Sequence, residues 1–326
     1  MKKSLFCLAL AGMASLANAQ TPAQADYPSK PLKLVAPYAP GGSADLLART
    51  LATHLSAEIK QPVVVENKPG ANTMIAATAV ARAPADGYTL LLASNASMVL
   101  NPLLYKKLSY DPAKDLALTN ILAEAPLVLV TNSQTGIRNV AELKAYAQAH
   151  AGRLNYSSIG LGNPLQLTTE LIKSRLGVEA THIPFNGSAP ALTALMSNDT
   201  QLMVDVVGTS LPQIKAGKLV PIATTAPVRS SFLPDTPTIA ESGFPGFKAA
   251  TWFGVAVPSG TPAVASARLK AAIDAVVQKP EFIAALNAQY LAGRKPQTQQ
   301  ELDAFLKEDS AMWRKVIADN RIALEQ

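Results

Sequence analysis

Short apolar runs alternate with longer stretches of fourfold apolar spacing along this chain. Leu32–Ala36 predicts a strand that stops at Pro37, and Leu47, Leu51 and Leu55 then define one face of a helix over 43–58. Residues 63–65 read as a buried strand, 72–83 as an alanine-rich helix, and 88–93, after the Asp86-Gly87 turn, as another buried strand. The pattern restarts near residue 126. Strands at 127–130, 154–157, 181–184, 202–205 and 222–225 alternate with helices at about 139–149, 165–175, 189–197 and 209–216. One more strand, 252–257, precedes helices that run to the C-terminus, the last opened by the capping box Thr298-Gln-Gln-Glu301. Continuous apolar strands separated by helices predict an α/β fold with parallel sheets covered on both faces. Two such units without a low-complexity linker predict two lobes tied by crossing strands. Ligands then sit in the cleft, beyond the C-terminal ends of the strands.

The first residues follow a different logic. Lys2 and Lys3 precede an apolar run at 5–16 and then Ala17-Asn18-Ala19, the form of a secretory signal over 1–19 with cleavage before Gln20. The run is far shorter than the roughly 20 residues that span a bilayer. Export from the cytoplasm follows, and it removes Cys7, the only cysteine. Disulfides, thiolate metal sites and a cysteine nucleophile are thereby excluded. The formal charge of +6 falls to +4 without Lys2 and Lys3, and no basic cluster accompanies it, which argues against nucleic-acid partners.

The chemistry-bearing candidates lie in loops after strands. The segment Tyr38-Ala39-Pro40-Gly41-Gly42-Ser43-Ala44-Asp45 joins the first strand to its helix, with two glycines for a close turn and Ser43 as the expected cap. Free N–H groups at a helix start make an anion site. Ser157 and Ser158 lead into Gly160-x-Gly162-Asn163-Pro164, with Asn163 as cap. This is not a dinucleotide fingerprint, because Leu165 stands at the third glycine position. Phe185-Asn186-Gly187 leads into Ser188, again an expected cap, while Ser94, Asn95 and Asp205 end strands. None of these loops carries Lys or Arg. The arrangement therefore suits a carboxylate held by neutral donors, with Asp205 able to accept from an ammonium or hydroxyl group. His54 and His150 belong to helices, and His182 sits in a predicted strand near the cleft. No nucleophile elbow, metalloprotease motif or P-loop occurs, so no catalytic residue, metal or cofactor is assigned. The competing reading is a secreted hydrolase of carboxylate esters or amides, which requires a serine, His182 and a carboxylate within hydrogen-bond reach.

Several segments, in order and spacing, carry a resemblance that covers nearly the whole chain after the signal. They are Tyr38 through Asp45, Val63-Val-Val-Glu-Asn-Lys-Pro-Gly70, Asp86-Gly-Tyr-Thr-Leu90, Leu154-Asn-Tyr-Ser157, Ile214-Lys-Ala-Gly-Lys218, Leu233-Pro-Asp-Thr-Pro-Thr238 and Pro258-Ser-Gly-Thr-Pro262. The chain resembles the Bug/TctC family of periplasmic solute-binding receptors of tripartite tricarboxylate transporters. The resemblance implies a type II periplasmic-binding fold, with one lobe at 20–123 and 228–326 and the other at 124–227. It also implies a monomeric receptor that closes on a small carboxylate (mono- or dicarboxylate, amino acid or aromatic acid) and delivers it to membrane transporter subunits. In the family, the ligand is held by segments that match 38–45, 157–164, 185–187 and Asp205. Two departures are expected to alter ligand choice: Gln166 where histidine is common, and Phe185-Asn186-Gly187 where Tyr-Lys-Gly or similar is common.

Overall fold

The computed structural model describes residues 27–319 and Ile322; the signal reading at 1–19 lies outside the described residues. Strand β1 (Leu32–Ala36) buries four of its five residues and feeds helix α1 (Ser43–Ile59), whose Leu47, Leu51 and Leu55 are fully buried against the sheet. Strand β2 (Val63–Asn67) pairs parallel with β1 at the edge of the sheet. It is half-exposed, not buried as its valines suggested, because no strand lies beyond it. Helix α2 (Met74–Ala81) and strand β3 (Thr89–Ser94) follow, and then a wide π-helical turn over Ala96–Leu100 runs into α3 (Asn101–Leu104). After α4 (Pro112–Asp115) comes β4 (Leu116–Ala125), a ten-residue strand that the apolar pattern did not announce.

At Pro126 the chain passes into a second sheet. It is built of β5 (Leu127–Asn132), β6 (Asn155–Ser158), β7 (Thr181–Pro184), β8 (Leu202–Val206) and β9 (Leu219–Thr224), separated by α5 (Val140–Ala149), α6 (Pro164–Leu176), α7 (Ser188–Met196) and α8 (Val207–Lys215). The chain returns after Thr224 to complete the first sheet with β10 (Thr251–Pro258) and β11 (Ala292–Gly293), and adds α9 (Ala263–Val276), α10 (Pro280–Ala288) and α11 (Gln299–Asp319). The strand orders are β11-β4-β10-β3-β1-β2 and β7-β6-β8-β5-β9. Both sheets are mixed, which corrects the all-parallel expectation. β10 runs antiparallel to β3 and β4, and β5 antiparallel to β8 and β9, because these are the strands that enter and leave the sheets at the crossover.

One apolar cluster continues through the crossover, from Leu122 and Ala125 into Leu127 and Leu129. A second lies under α11, where Trp313 and Leu302 are fully buried, and it includes Leu167 of α6 from the other sheet's half. The α11 capping box forms: Thr298 N–H donates to Glu301 Oε2 at 2.7 Å and Glu301 N–H to Thr298 Oγ1 at 3.3 Å. Two other caps differ from expectation. Gly42 and Gly187, not Ser43 and Ser188, occupy the cap positions of α1 and α7, and neither helix start receives a side-chain hydrogen bond.

Candidate functional site

The loops at the C-terminal ends of β1, β6 and β7 meet between the two sheets. A small chamber of about 30 Å³ lies there, lined by Ala39, Gly42 and Ser43 from one side and by Pro164, Gly187 and Ser188 from the other. A larger chamber of about 260 Å³ shares Tyr38 and Ile159 with it and extends toward Gly70–Thr73, Tyr105, Phe185 and Asn186. The halves approach closely: a Cβ added at Gly187, whose φ is +145°, would sit 3.5 Å from Ala39 Cβ. Tyr105 OH donates to Leu161 O at 3.1 Å, a hydrogen bond from one half of the molecule to the other.

The β1–α1 loop is held from behind by Asp45. Its Oδ2 accepts from Gly41 N–H at 3.0 Å and Arg49 Nε at 3.1 Å, and its Oδ1 accepts from Asn67 Nδ2 at 2.9 Å. Burial pushes this carboxyl up, but Arg49, the Gly41 N–H and Asn67 outweigh it and hold it below the usual range. Asn67 Nδ2 also donates to Tyr38 O at 3.0 Å. Gly41, at φ +86°, makes the turn that exposes the loop, and Pro40 and Gly41 face outward. Asp45 thus shapes the loop without lining either chamber. Tyr38 lines both; burial drives its phenol up to about 12 against the opposing Ser94 hydroxyl, so it stays a neutral donor.

The β6–α6 loop is braced in the same way. Asn163 Oδ1 accepts from Leu165 N–H at 2.8 Å and Gln166 N–H at 3.1 Å, the expected cap, while its Nδ2 donates to Gly160 O. Gly162 N–H donates to Gln166 Oε1 at 2.5 Å. The start of α6 is therefore satisfied internally, unlike those of α1 and α7. Ser158 Oγ donates to Gly160 O at 2.9 Å and lies 2.6 Å from His182 Nε2. Ser158 Oγ also accepts from Gly160 N–H at 3.3 Å, so the serine is tied into its own loop. Burial also lowers His182 to about 4. Glu170 spends its carboxylate on Tyr156 OH and Lys173. The serine and histidine are in reach of each other, but this neighbouring carboxylate is committed there rather than to orienting the imidazole. The third member of a nucleophilic triad is not in place.

Asp205 is fully buried below α7 and α8. Ser188 Oγ donates to its Oδ1 at 2.8 Å, and Thr209 Oγ1 and Ser210 Oγ donate to its Oδ2 at 2.5 and 2.9 Å. Burial raises its pKa against these bonds. Asn95 accepts from Thr251 Oγ1 at 2.8 Å and donates to Ala250 O at 3.3 Å, and Ser157 is buried within β6. Of the residues singled out from the sequence, the structure brings Tyr38, Ala39, Gly42, Ser43, Phe185, Asn186 and Gly187 to the chamber walls. It places Pro40, Gly41, Asp45, Ser94, Asn95, Ser157, Ser158, Gly162, Asn163 and Asp205 around or behind them. The Gly70–Thr73 wall and Tyr105 were not foreseen. The Pro69-Gly70 dipeptide was the available signal for the first, and Tyr105 had none, because it stands just past the one-turn helix α3, outside any apolar period.

Two α/β halves linked by a double crossover, with uncapped helix starts opening on a chamber between them, define a two-lobed solute-binding receptor. The described residues contain no helix long and apolar enough to cross a membrane. The chain belongs to the tripartite tricarboxylate transporter family receptors, which match it over residues 47–322. Protein BugT of Bordetella pertussis is 33% identical over 98% of this chain and 96% of its own. R. palustris Rpa4515, solved with adipate, superposes with a TM-score of 0.87 at 34% identity, covering 91% of this chain and 99% of that one. MatC from Rhodopseudomonas palustris, solved with bound malate, gives 0.84 at 30% identity, with 89% and 100% covered. The family consists of periplasmic solute-binding receptors, and the protein is a receptor rather than an enzyme.

Proposed function

We propose that the protein captures a small carboxylate between its lobes and delivers it to a membrane transporter of the tripartite tricarboxylate type. One observation carries the reading: α1 and α7 start at glycine caps without side-chain partners, on either side of one chamber. Their free N–H groups and positive dipole ends supply an anion site without a cation. Ser43 Oγ, buried and unpartnered beside the chamber, offers a further donor. The adipate and malate in the similar structures are carboxylates of the same kind. The lobe division at 20–123 with 228–326 against 124–227 is part of the proposal, supported by the passage at Pro126 and the return after Thr224. Signal cleavage before Gln20 belongs with it.

A thermal-shift screen of mono- and dicarboxylates tests the reading, with small-angle scattering on the hits. Binding should raise the melting temperature and reduce the radius of gyration as lobes close. If no carboxylate stabilises the protein, the reading is wrong.

A further inference from the structure

The larger chamber constrains the rest of the ligand, and this inference rests on the carboxylate reading above. No Lys, Arg, His, Asp or Glu contributes to its wall. Three aromatic side chains do: Tyr38, Tyr105 and Phe185, joined by Met74 and Ile159. The polar side chains of the opposite wall, Asn72 and Thr73, turn into the fold, while Asn186 stays an exposed polar member of the near wall. Asn72 Nδ2 donates to Asn101 Oδ1 at 2.8 Å, and Asn101 Nδ2 donates to Asn72 O at 2.9 Å and to Tyr110 OH at 3.0 Å. Tyr105 commits its hydroxyl to Leu161 O, so what it offers the chamber is its ring.

Charge and size then choose the occupant. The two free helix starts of the small chamber balance one carboxylate. A second carboxylate, in the larger chamber, would meet no cationic side chain on the wall to balance it. An aromatic ring would instead bury apolar area and meet three rings at favourable offsets. An apolar cavity of roughly 150 Å³ holds benzene, and this chamber, at about 260 Å³, has room for a ring and a short substituent. We infer that the ligand is an aromatic monocarboxylate, its carboxylate between the starts of α1 and α7 and its ring among Tyr38, Tyr105 and Phe185.

Calorimetric titration of the purified protein, unfolded and refolded first to strip bound solute, tests this with phenylacetate, benzoate, benzamide and adipate. The better of the two aromatic acids should bind at least about tenfold tighter than adipate, and benzamide should bind far more weakly than benzoate. Phe185→Leu, which keeps apolar volume but removes a ring, should weaken the aromatic acids about three- to tenfold and adipate by a clearly smaller factor. Circular dichroism checks that the variant folds. If adipate binds as well as the aromatic acids or better, this inference fails while the carboxylate reading stands. If benzamide binds as tightly as the best of the acids, or no acid of this set or of the thermal-shift screen binds, both fail.

Discussion

Asp205 shows how a conspicuous residue can serve a site without touching its ligand. Its carboxylate gathers three hydroxyls from the first turns of α7 and α8, and so fixes where those helices begin. Replacing it with alanine leaves the buried hydroxyls of Ser188 and Ser210 without their acceptor, while Thr209 keeps Val206 O, a cost of about 2 kcal/mol. Urea denaturation of Asp205→Ala should show that loss in full, and Asp205→Asn should recover part of it. An unchanged midpoint would remove the carboxylate from the framework. His182 makes a pH-dependent contribution of definite sign. Burial lowers its folded-state pKa to about 4, below the unfolded value near 6.5, so between these pH values the unfolded chain binds more protons. Its contribution is complete above about pH 6.5 and is lost as pH falls toward 4. Asp309, raised to about 6 chiefly by burial, acts in the opposite direction over the same range. The useful measurement is therefore the difference between the protein and His182→Gln, which should narrow on acidification by on the order of 1–2 kcal/mol after allowing for partial exposure. Parallel pH curves would contradict the assignment.

At the scale of elements, the start of α1 is the most informative position. Gly42 has an ordinary φ of −86°, and an added Cβ there would meet only Ala39 O, at 3.9 Å. Gly42→Asp therefore fits, caps the helix and adds a few tenths of a kcal/mol of stability. The same carboxylate occupies the N–H groups and repels an incoming anion. The expected result is a melting temperature equal to or slightly above that of the parent, with carboxylate affinity lowered by a hundredfold or so. Undiminished affinity would move the anion site elsewhere. This region also marks how far the sequence could be read. Strand β1, the fourfold leucines of α1 and the glycine pair were legible because each follows a local rule. The bare helix starts were not, since Ser43 and Ser188 stand one residue past the caps and a serine beside a glycine reads equally well as either. β4 escaped for a different reason. Its sequence, LALTNILAEA, has neither alternation nor an unbroken apolar run, because Thr119 and Asn120 turn to partners in distant segments, Val255 O and Asp274. Long-range pairing of that kind leaves no trace in local periodicity.

Over the whole molecule, function requires that the two halves separate and return, and two contacts between them work differently. Gln289 O approaches Gly208 of α8 so closely that an added Cβ would lie 2.5 Å from it, while the neighbouring Tyr290 packs edge-on to Phe232 at 5.2 Å and under Lys215 at 5.8 Å. Gly208→Ala forces that backbone apart and should destabilise the protein by about 1–3 kcal/mol, with or without ligand. The hydrogen bond from Tyr105 to Leu161 O instead crosses between residues that line the larger chamber. It forms only when the lobes meet, so it stabilises the closed state and contributes nothing to the open one. Apparent affinity scales with the fraction of protein able to close. Removing one hydroxyl in Tyr105→Phe costs about 1 kcal/mol of closed-state stability, or roughly a fivefold loss of affinity. That loss should appear in the dissociation rate, because ligand enters the open form before the bond exists. Stopped-flow kinetics with any bound carboxylate should show faster dissociation, unchanged association and an unaltered ligand-free melting temperature. If association slows instead, Tyr105 guides entry and closure is held by other contacts.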